Sequence, residues 1–288
     1  MSATEPDVAE LRRAAVGAAY RMLGVHADAE DAAQEALIRL HDADPPPSAP
    51  RAWIVRVTTN LCVDRLRSAQ RRREAYIGPW LPEPLLSETD PATEVELAES
   101  VSIALLVVLE TLSPAERAAF LLHDVFGYGY DEIGDTLARS DTAARQLVSR
   151  ARRAVRAGNV RFEPDPARRA AVSEAFAVAC AGDVEDLVAV LAEDVVMLTD
   201  GGGVAQAARK PLVGARRCAK AIVALRENSM RNPTILNVVV NGTPGAVIFE
   251  DGVPTSVMGV DVADDLVVAI HVVREPGKLA AALATLGC

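Results

Sequence analysis

Cysteine is scarce in this chain of 288 residues. Its four cysteines are widely separated, at Cys62, Cys180, Cys218 and Cys288. Disulfide frameworks and structural zinc sites need thiols at short spacings, so this distribution argues against both. It is typical of a cytoplasmic protein with reduced thiols, for which we expect neither a metal nor another cofactor.

Long apolar runs and a secretion signal are also missing. The longest apolar run, Ile103–Leu109, is far shorter than the ~20 residues that cross a bilayer. The N-terminal sequence MSATEPDVAE has no basic residue followed by an apolar core, which a secretion signal requires. These absences predict a protein that does not enter or cross a membrane.

Lysine is nearly absent, and the basic residues are unevenly placed. Lysine occurs only at Lys210, Lys220 and Lys278, so arginine supplies nearly all the positive charge of a chain with net charge −10. Residues 74–116 carry nine acids and no lysine or arginine. This balance argues against a protein that coats nucleic acid uniformly, but it allows local basic surfaces.

The segment Ala52–Arg73 is one such basic surface. Apolar residues recur in it at helical spacing, which predicts a long helix with one buried face made by Trp53, Ile54, Val57, Leu61 and Leu66. The other face carries Arg51, Arg56, Thr58, Thr59, Asn60, Arg65, Arg67, Arg71, Arg72 and Arg73. Arginines can hold a nucleic-acid backbone while polar side chains reach the bases. A solvated arginine face is the simpler alternative, which only the neighbouring segments argue against.

Two helices are predicted before this segment, over Val8–Leu23 and Ala27–Leu40. A proline-rich spacer, Asp44–Pro50, then interrupts helical structure. The outer face of the second helix is acidic and amide-bearing, with Asp28, Asp31, Gln34 and Glu35. This face is either simply solvated or a surface for binding another protein.

Residues 112–156 show the pattern of three helices. Ser113-Pro-Ala-Glu116 is a capping-box pattern, which predicts the start of a helix over Pro114–Phe126. A short helix over Tyr130–Ala138 and a longer one over Thr142–Arg156 are predicted next, joined by a tight turn. Two such helices predict a helix-turn-helix, although a helical hairpin without a DNA-binding role gives the same pattern.

The last of these helices has a polar, arginine-rich face. Its members recur at helical spacing and are Thr142, Arg145, Gln146, Ser149, Arg150 and Arg153. Arginine and glutamine read guanine and adenine edges in the major groove. These six residues are therefore the candidates for base and backbone contacts.

The remainder of the chain changes character after the boundary segment Asn159–Pro166. Helices are predicted over Ala167–Cys180, Val184–Ala192 and Gly214–Asn228. Strands rich in β-branched residues are predicted over Val195–Thr199, Thr234–Val240, Ala246–Glu250, Thr255–Val262 and Leu266–Val273. Helices followed by adjacent strands predict an α+β domain with an antiparallel curved sheet.

In this order, the segments resemble a bacterial extracytoplasmic-function sigma factor. DAEDAAQEALIRLH (Asp28–His41) resembles the family's core-polymerase-binding helix, and Ala52–Arg73 resembles its −10 melting and recognition helix. Leu112–Arg156 resembles its −35-binding domain. The remainder resembles the SnoaL-like, NTF2-like cone fold, and the combination resembles a sigma subgroup that carries such an extension.

The resemblance implies a multidomain protein in which two all-α helical sigma domains, the second with a helix-turn-helix, precede an α+β cone-shaped domain. It places sigma region 2 in 1–75, an acidic linker in 76–108, sigma region 4 in 109–160 and a SnoaL-like regulatory domain in 166–288. It implies a transcription initiation factor, not an enzyme. The implied partners are core RNA polymerase, the −10 and −35 elements of promoter DNA, and the sigma domains themselves, which the C-terminal domain would contact within one chain. A separate anti-sigma factor is left open.

The resemblance also assigns residues to these roles. The DNA-binding candidates in the long basic helix are Asn60, Arg65, Arg67, Arg71 and Arg72, beside the six of the helix-turn-helix. The polymerase-binding candidates are Asp28, Asp31, Gln34 and Glu35. We expect a regulatory interface between a WLPEP motif in the linker, a DGGG motif and a C-terminal motif, made by Trp80, Leu81, Pro82, Glu83, Pro84, Asp200, Gly201, Gly202, Gly203 and Lys278. Val204 replaces the lysine that follows DGGG in the subgroup.

Two other interpretations stay open at this point. A helix-turn-helix regulator with a ligand-sensing domain accounts for residues 112–156 but leaves Asp28–Arg73 without a role. A C-terminal enzyme is the second, in which Asp200, Asp251, Asp261 and His271 line a cavity; each is equally a turn or sheet residue. All four tyrosines precede the C-terminal domain, which argues against a tyrosine-assisted acid–base site there.

Overall fold

A computed structural model describes residues 7–73, 76–87, 102–158, 165–228 and 230–284, without the side chains of 69–73 and 166. The described residues form two compact units. The N-terminal unit contains 7–73 and 106–158, and the C-terminal unit contains 76–87, 102–105 and the described residues from 165 onward.

The N-terminal unit is entirely helical in its described part. Its helices are α1 (Val8–Leu23), α2 (His26–His41), α3 (Pro50–Arg73), α4 (Ile103–Glu110), α5 (Pro114–Phe120), α6 (Tyr130–Leu137) and α7 (Asp141–Ala157). The first three residues of α4 are assigned to the C-terminal unit. Local chemistry sets several ends: the Asp7 carboxylate accepts from the Ala9 N–H at 2.9 Å. Gly24, with a φ of 67°, terminates α1. The helices predicted from periodicity are present with shifts of one or two residues.

The helix predicted over Pro114–Phe126 changes type part-way. The capping box of Ser113 and Glu116 forms, and α5 ends at Phe120. Leu121–Val125 is π-helical, and the Phe126 N–H donates to the Leu121 carbonyl at 3.0 Å. Apolar spacing does not reveal this wider turn, because one extra residue in a single turn leaves the average period close to 3.6.

The two predicted sigma domains share one hydrophobic core in this structure. Its buried members are Ala18, Val55, Ala119, Leu122, Tyr128, Ile133, Ala144, Leu147 and Val148. Ala18 and Val55 belong to the predicted region 2, and the others belong to the predicted region 4. The Tyr128 hydroxyl also donates to the Ala52 carbonyl at 2.7 Å. The boundary expected between regions 2 and 4 is therefore not a boundary between compact units.

A buried arginine reinforces this shared packing. Arg117, in α5, is 2% exposed and donates to the carbonyl of Met22 at 2.6 Å and to that of Leu109 at 2.8 Å. It also pairs with Glu110 at 2.5 Å. Burial lowers the pKa of Arg117 to about 9. Arg117 thereby satisfies carbonyls at the ends of two other helices, α1 and α4.

The C-terminal unit is an α+β structure. Its described elements are β1 (Leu86–Ser87), α8 (Pro166–Ala179), α9 (Val184–Val190), β2 (Leu191–Asp200), β3 (Leu212–Val213), α10 (Ala215–Asn228), β4 (Pro233–Val240), β5 (Thr243–Glu250), β6 (Val253–Ala263), β7 (Leu266–Val273) and α11 (Pro276–Ala284). The seven strands form one sheet in the order β1-β4-β5-β6-β7-β2-β3.

The sheet departs from the expected antiparallel arrangement at one pair. β2 and β7 are parallel, with Val196 opposite Ala269 and Thr199 opposite Val272. These strands are far apart in sequence, and a long connection is what a parallel pair needs. β2 also begins at Leu191, inside the helix predicted over Val184–Ala192, because a short apolar run fits helix and strand equally well.

Two segments that carry motifs of the expected regulatory interface are ordered elements of this unit. Leu86 and Ser87 pair with Val240 and Val239 of β4, so the described residues 76–87 belong to the C-terminal unit instead of forming a separate linker. The C-terminal motif, Glu275–Leu279, lies at the start of α11. Pro276 suits the first position of a helix, where its missing N–H costs nothing.

The core of this unit joins helices to one face of the sheet. Phe176 of α8, Leu187 of α9 and Cys218 of α10 are buried with Val260 and Ile270 of the sheet. In the part of the chain that the structure describes, no helix is long and apolar enough to cross a membrane.

Candidate functional site

The polar face predicted for the second helix of the helix-turn-helix lies at the surface. All six candidates on α7 are exposed: Thr142, Arg145, Gln146, Ser149, Arg150 and Arg153. The opposite face buries Ala144, Leu147, Val148 and Ala151. The Ser140 hydroxyl accepts from the Ala143 N–H at 3.2 Å, which fixes the start of α7. One face of α7 is thus packed in the core, and the opposite face is exposed to solvent.

The turn between α6 and α7 depends on close backbone approach. Ala138 takes the left-handed conformation, with a φ of 52°. A Cβ atom on Gly134 would lie 2.8 Å from the Arg139 carbonyl oxygen. A side chain at position 134 would therefore push the turn apart and change the angle at which α7 is held.

Two of the candidate arginines on α7, Arg145 and Arg150, have partners in the free protein. Arg145 lies 3.3 Å from the Asp141 carboxylate and 4.7 Å from the centre of the Tyr130 ring, which stacks on His123. Arg150 donates to Glu116 at 2.8 Å. The Arg145–Asp141 pair is largely exposed and the Arg150 side chain is half exposed, so a stronger anion such as a phosphate can replace the carboxylates.

The other four candidates on this face are unengaged. Within the described structure, the side chains of Thr142, Gln146, Ser149 and Arg153 form no hydrogen bond or ion pair. Arg152, which lies beside them, is occupied by a two-pronged contact with Asp124 at 2.6 and 2.9 Å. Four of the six predicted side chains on α7 are therefore free, and so is Arg156 in its last turn.

The long helix α3 presents fewer free candidates. Asn60 and Arg67 are exposed, with Arg67 2.9 Å from Asp64. Arg65 turns back toward α2, where it donates to the Asp28 carbonyl at 2.9 Å and approaches Glu35 at 3.5 Å. Arg71 and Arg72 are in the last turn of α3, and their side chains are outside the described residues.

The polar face expected for α3 needs one correction. Thr58 and Thr59 are fully buried, and the Thr59 hydroxyl donates to the Val55 carbonyl at 2.8 Å. Trp53, expected in the core, is only half-buried. Because α3 packs against several neighbouring helices, its buried face extends beyond the apolar residues and includes these two threonines.

The acidic face of α2 is at the surface and includes a residue that the sequence analysis did not single out. Asp28, Asp31 and Gln34 are exposed, and Glu35 is half-buried between Arg39 and Arg65. Ile38 is 54% exposed on the same helix, seven residues after Asp31. The sequence signal for Ile38 was its spacing, seven residues from Asp31 and four from Gln34, because residues at these spacings lie on one helix face.

A buried carboxylate organises the segments expected to form the regulatory interface. Asp200, at the end of β2, is fully buried. One of its oxygens accepts from the Tyr76 hydroxyl at 2.6 Å and from the Gly202 N–H at 3.1 Å. The other accepts from the Leu81 N–H at 2.9 Å and from the Lys278 ammonium at 2.7 Å. We call Tyr76, Leu81, Asp200 and Lys278 the Asp200 clasp.

Lys278 closes the clasp from α11. Its ammonium also donates to the Leu81 carbonyl, so the main chain of Leu81 is held on both sides. The same ammonium lies 4.2 Å from the centre of a Trp80 ring and 5.2 Å from that of Tyr76. A cation between two aromatic rings and a carboxylate is well compensated despite its burial.

The glycines after Asp200 allow the close approach of residues 76 and 77. Gly202 and Gly203 have φ values of 61° and 76°. A Cβ atom on Gly203 would lie 2.9 Å from the end of the Ile77 side chain. Val204, at the position of the subgroup's lysine, is 79% exposed, and the basic residue in the clasp is Lys278.

Sequence reasoning missed two residues that fasten the segment 76–87 within the C-terminal unit. Tyr76 binds Asp200, and burial together with that hydrogen bond raises the pKa of the Tyr76 hydroxyl. Asn241 exchanges two hydrogen bonds with the main chain of Leu85, at 2.9 and 3.0 Å. The only sequence signal was the Asn241-Gly242 pair, which marks a hairpin turn. Pro82 and Pro84 are buried and Glu83 is half-buried.

Comparison with known proteins identifies the two helical parts. Residues 8–72 match the Sigma-70 region 2 family, and residues 102–155 match the Sigma-70 region 4 family. SigJ, an ECF RNA polymerase sigma factor of Mycobacterium tuberculosis, is 42% identical over 220 residues, which are 75% of this chain and 70% of SigJ. The chain belongs to the extracytoplasmic-function family of RNA polymerase sigma factors.

Relatives along the whole length support the same assignment. The probable ECF sigma factor SigI of Mycobacterium tuberculosis is 35% identical over 283 residues, covering 94% of this chain and 93% of SigI. The crystal structure of Mycobacterium tuberculosis SigJ superposes with a TM-score of 0.78 at 33% identity, covering 94% of this chain and 98% of that one. The expected helical domains followed by an α+β sheet domain are confirmed.

Family membership gives the function at the level of the whole chain. This sigma factor directs RNA polymerase to promoters for transcription initiation, and it binds core polymerase and promoter DNA. The helix-turn-helix regulator is thereby set aside, because that interpretation had no role for residues 28–73.

The three residues proposed with Asp200 for a C-terminal enzyme are in structural positions. Asp251 lies in the turn after β5, with a φ of 51°. The buried Asp261 and His271 lie side by side, with 3.2 Å between a carboxylate oxygen and Nδ1. None of the three lines the cavity of about 730 Å³ that lies between the sheet and helices α8 and α10. Sigma factors are DNA-binding regulators and not enzymes.

Proposed function

We propose that the C-terminal unit of this sigma factor regulates initiation by gripping residues 76–87 through the Asp200 clasp. The observation that carries the proposal is the double contact of Lys278 with Asp200 and with the Leu81 carbonyl, in a site closed to water. The gripped segment starts three residues after α3 ends. A change in the clasp is therefore coupled through a very short tether to the DNA-binding helix.

Because the tether is short, even a weak contact made by the C-terminal unit would be sufficient for regulation. A domain held close by a short chain acts at an effective concentration of order mM, so contacts too weak to form between separate proteins are occupied. On this hypothesis, the C-terminal unit contacts the sigma domains within one chain and takes the place of a separate anti-sigma factor.

Run-off transcription with core polymerase tests the role of the clasp. Lys278→Met removes the ammonium but keeps an apolar side chain of similar length, and we expect it to change promoter output several-fold. Lys220→Met is the matched control, because Lys220 is exposed on α10 and outside the clasp. Equal output from wild type and both variants, with both folded, would contradict the proposal.

A second variant tests whether Trp80 and Lys278 act together. Trp80→Ala removes a half-buried ring that contacts Lys278 and leaves the buried hydrogen bonds of Asp200 in place. We expect the effects of Trp80→Ala and Lys278→Met on transcription to be non-additive in a double-mutant cycle. Strict additivity would mean that the two residues act in separate places.

The proposed DNA contacts follow from exposure on α7 and, on α3, from the exposure of Asn60 and Arg67. We assign −35 recognition to α7, where Thr142, Arg145, Gln146 and Ser149 face the bases and Arg150 and Arg153 face the phosphates. We assign contacts around the −10 element to Asn60, Arg67, Arg71 and Arg72 of α3. For Arg65 the proposed contribution is smaller, because its guanidinium is already bound to α2.

The proposed polymerase contact is the exposed face of α2, made by Asp28, Asp31, Gln34 and Glu35. Ile38 adds an apolar group within this acidic surface, and such a combination suits a partner with a basic rim and an apolar centre. Reversing Asp31 and Glu35 to lysine should weaken capture of core polymerase in a pull-down. Unchanged capture would leave this face merely solvated.

Regions 2 and 4 cannot both engage a promoter while they share one core. The −10 and −35 elements are about 25 base pairs apart, or roughly 85 Å at ~3.4 Å per base pair. A compact unit of this size has a radius of gyration of roughly 14 Å and cannot extend so far. We infer that the contacts of Tyr128 and Arg117 across the shared core open when the protein binds polymerase and DNA.

A further inference from the structure

The C-terminal unit contains a cavity of about 730 Å³ that has no part in the Asp200 clasp. Its walls are the inner face of the sheet and the helices α8 and α10. Most of the lining is aliphatic or thioether, as shown by Met197, Ile222, Leu225, Ile248, Met258 and Val272. The volume falls within the ~300–1,000 Å³ of typical small-molecule sites.

One hydroxyl in this apolar lining lacks a partner. Ser256 of β6 is 2% exposed, and its side chain makes no hydrogen bond within the described residues. Ser256 is opposite Ile248 in the sheet, and Ile248 is opposite Ile235. Along this wall of the cavity, Ser256 is therefore followed by the apolar side chains of Ile248 and Ile235. The Ser256 hydroxyl lines the cavity and can therefore donate a hydrogen bond to a ligand there.

Both arginines of the lining are paired with carboxylates, and within the described residues the one buried nitrogen of these two guanidinium groups without a hydrogen-bond partner is the Nε of Arg274. Arg274 donates to the Gln206 carbonyl at 3.0 Å and approaches Glu250 at 3.3 Å. Arg226 donates to the carbonyls of Cys180 and Gly182, each at 2.7 Å, and lies 3.5 Å from Glu227. An anionic ligand would lose its hydration without gaining a free cation, so the balance favours an uncharged one.

We propose that this cavity binds an uncharged, elongated apolar molecule that carries one acceptor oxygen, and that the Ser256 hydroxyl donates to that oxygen. The apolar body lies along the Ile248 and Ile235 row. The proposal concerns a ligand of the C-terminal unit and does not depend on the regulatory role of the clasp.

Displacement of the neutral dye Nile red from the full-length protein tests the ligand class. The probes are 2-nonanone, nonane and nonanoate, which share an apolar chain and differ at one end. We expect saturable displacement at one site, with 2-nonanone binding about 2- to 10-fold more tightly than nonane, as one neutral hydrogen bond allows. Ser256→Ala should abolish this difference while leaving the affinity for nonane unchanged.

A space-filling variant locates the binding. Ala221→Phe places a ring into the cavity from α10 and should remove displacement by every probe. Ala175→Phe is the matched control, since Ala175 is exposed on α8 and outside the lining. If Ala221→Phe does not fold, the comparison of Ser256→Ala with wild type still decides the question.

Three results would overturn the proposal. The first is the absence of saturable displacement by any probe, and the second is displacement unaffected by a folded Ala221→Phe protein. The third is tighter binding of nonanoate than of 2-nonanone, which would assign the site to carboxylates. A ketone preference that survives in Ser256→Ala would equally remove Ser256 from the site.

Discussion

The charged residues of α7 and those of the Asp200 clasp use the same chemistry in opposite surroundings. Arg145 and Asp141 on α7 have 62% and 49% of their side chains exposed, whereas Lys278 and Asp200 have 8% and 0%. Exposed pairs contribute about 0–1 kcal/mol, so DNA can replace them at little cost. Removing one member of a buried pair leaves a charge without compensation and costs about 3–5 kcal/mol.

The exposed ion pairs of α7 can therefore exchange their partners at little cost in free energy, whereas the buried pair of the clasp cannot. On α7, carboxylates from Asp141 and Glu116 hold arginines in place until a stronger anion arrives. In the clasp, four donors satisfy both oxygens of Asp200, and no partner needs to come from outside. The comparison predicts large effects on stability at the clasp and large effects on DNA binding at α7.

The largest expected effect is at Asp200. Asp200→Ala should lower the free energy of unfolding of the C-terminal unit by about 3–5 kcal/mol, because the ammonium of Lys278 stays buried without its carboxylate. Arg216→Ala is the control, since the Arg216–Glu185 pair is exposed and its loss should cost less than about 1 kcal/mol. Urea unfolding measures both, and similar losses would erase the contrast between buried and exposed pairs.

Arg145→Ala should affect DNA binding more than stability. If Arg145 reads a base, its loss costs about 1–3 kcal/mol of binding and relaxes sequence preference at one position of the −35 element. Binding to matched and mismatched promoter fragments measures this. Arg153→Ala serves as the comparison, because a phosphate contact weakens binding uniformly. Uniform weakening by Arg145→Ala as well would make it a phosphate contact.

Tyr128→Phe tests the shared core by removing a single oxygen atom, that of the Tyr128 hydroxyl. The variant loses the hydrogen bond to the Ala52 carbonyl, and we expect the free energy of unfolding of the N-terminal unit to fall by about 1 kcal/mol. If the shared core opens on promoter binding, the same change should raise the rate of open-complex formation. A stability loss together with a slower rate would argue that the closed core is the active form.

The smallest expected effect appears only at high pH. Burial and the hydrogen bond to Asp200 raise the pKa of Tyr76 above its usual value near 10. The protonated hydroxyl therefore favours the folded state below pH 10, and this contribution is lost as pH rises beyond 10. Unfolding experiments at pH 8 and pH 11 should show a steeper loss for wild type than for Tyr76→Phe. Parallel losses would place Tyr76 outside the clasp.

Helix positions and the exposed side of α7 were predictable from the sequence. The apolar residues of α7 repeat at helical spacing, and the six polar candidates between them are all exposed. Such patterns are local, because a helix of this kind packs one face and leaves the other in water. Similar reasoning gave the acidic face of α2, although it omitted the exposed Ile38.

Tertiary structure alone decided which segments meet. Leu86 pairs with Val240, and Tyr76 binds Asp200 across 124 positions of sequence. The π-helical turn at Leu121–Val125 and the parallel pairing of β2 with β7 likewise left no local pattern.

The sequence by itself determined the family, the helices and the charge of their exposed faces, because these depend on the order and spacing of residues a few positions apart. It did not determine that Arg117 and Tyr128 fasten regions 2 and 4 around one core, nor that Lys278 closes on Leu81. Those contacts join residues far apart in the chain, and they form only where burial makes each polar group find a partner.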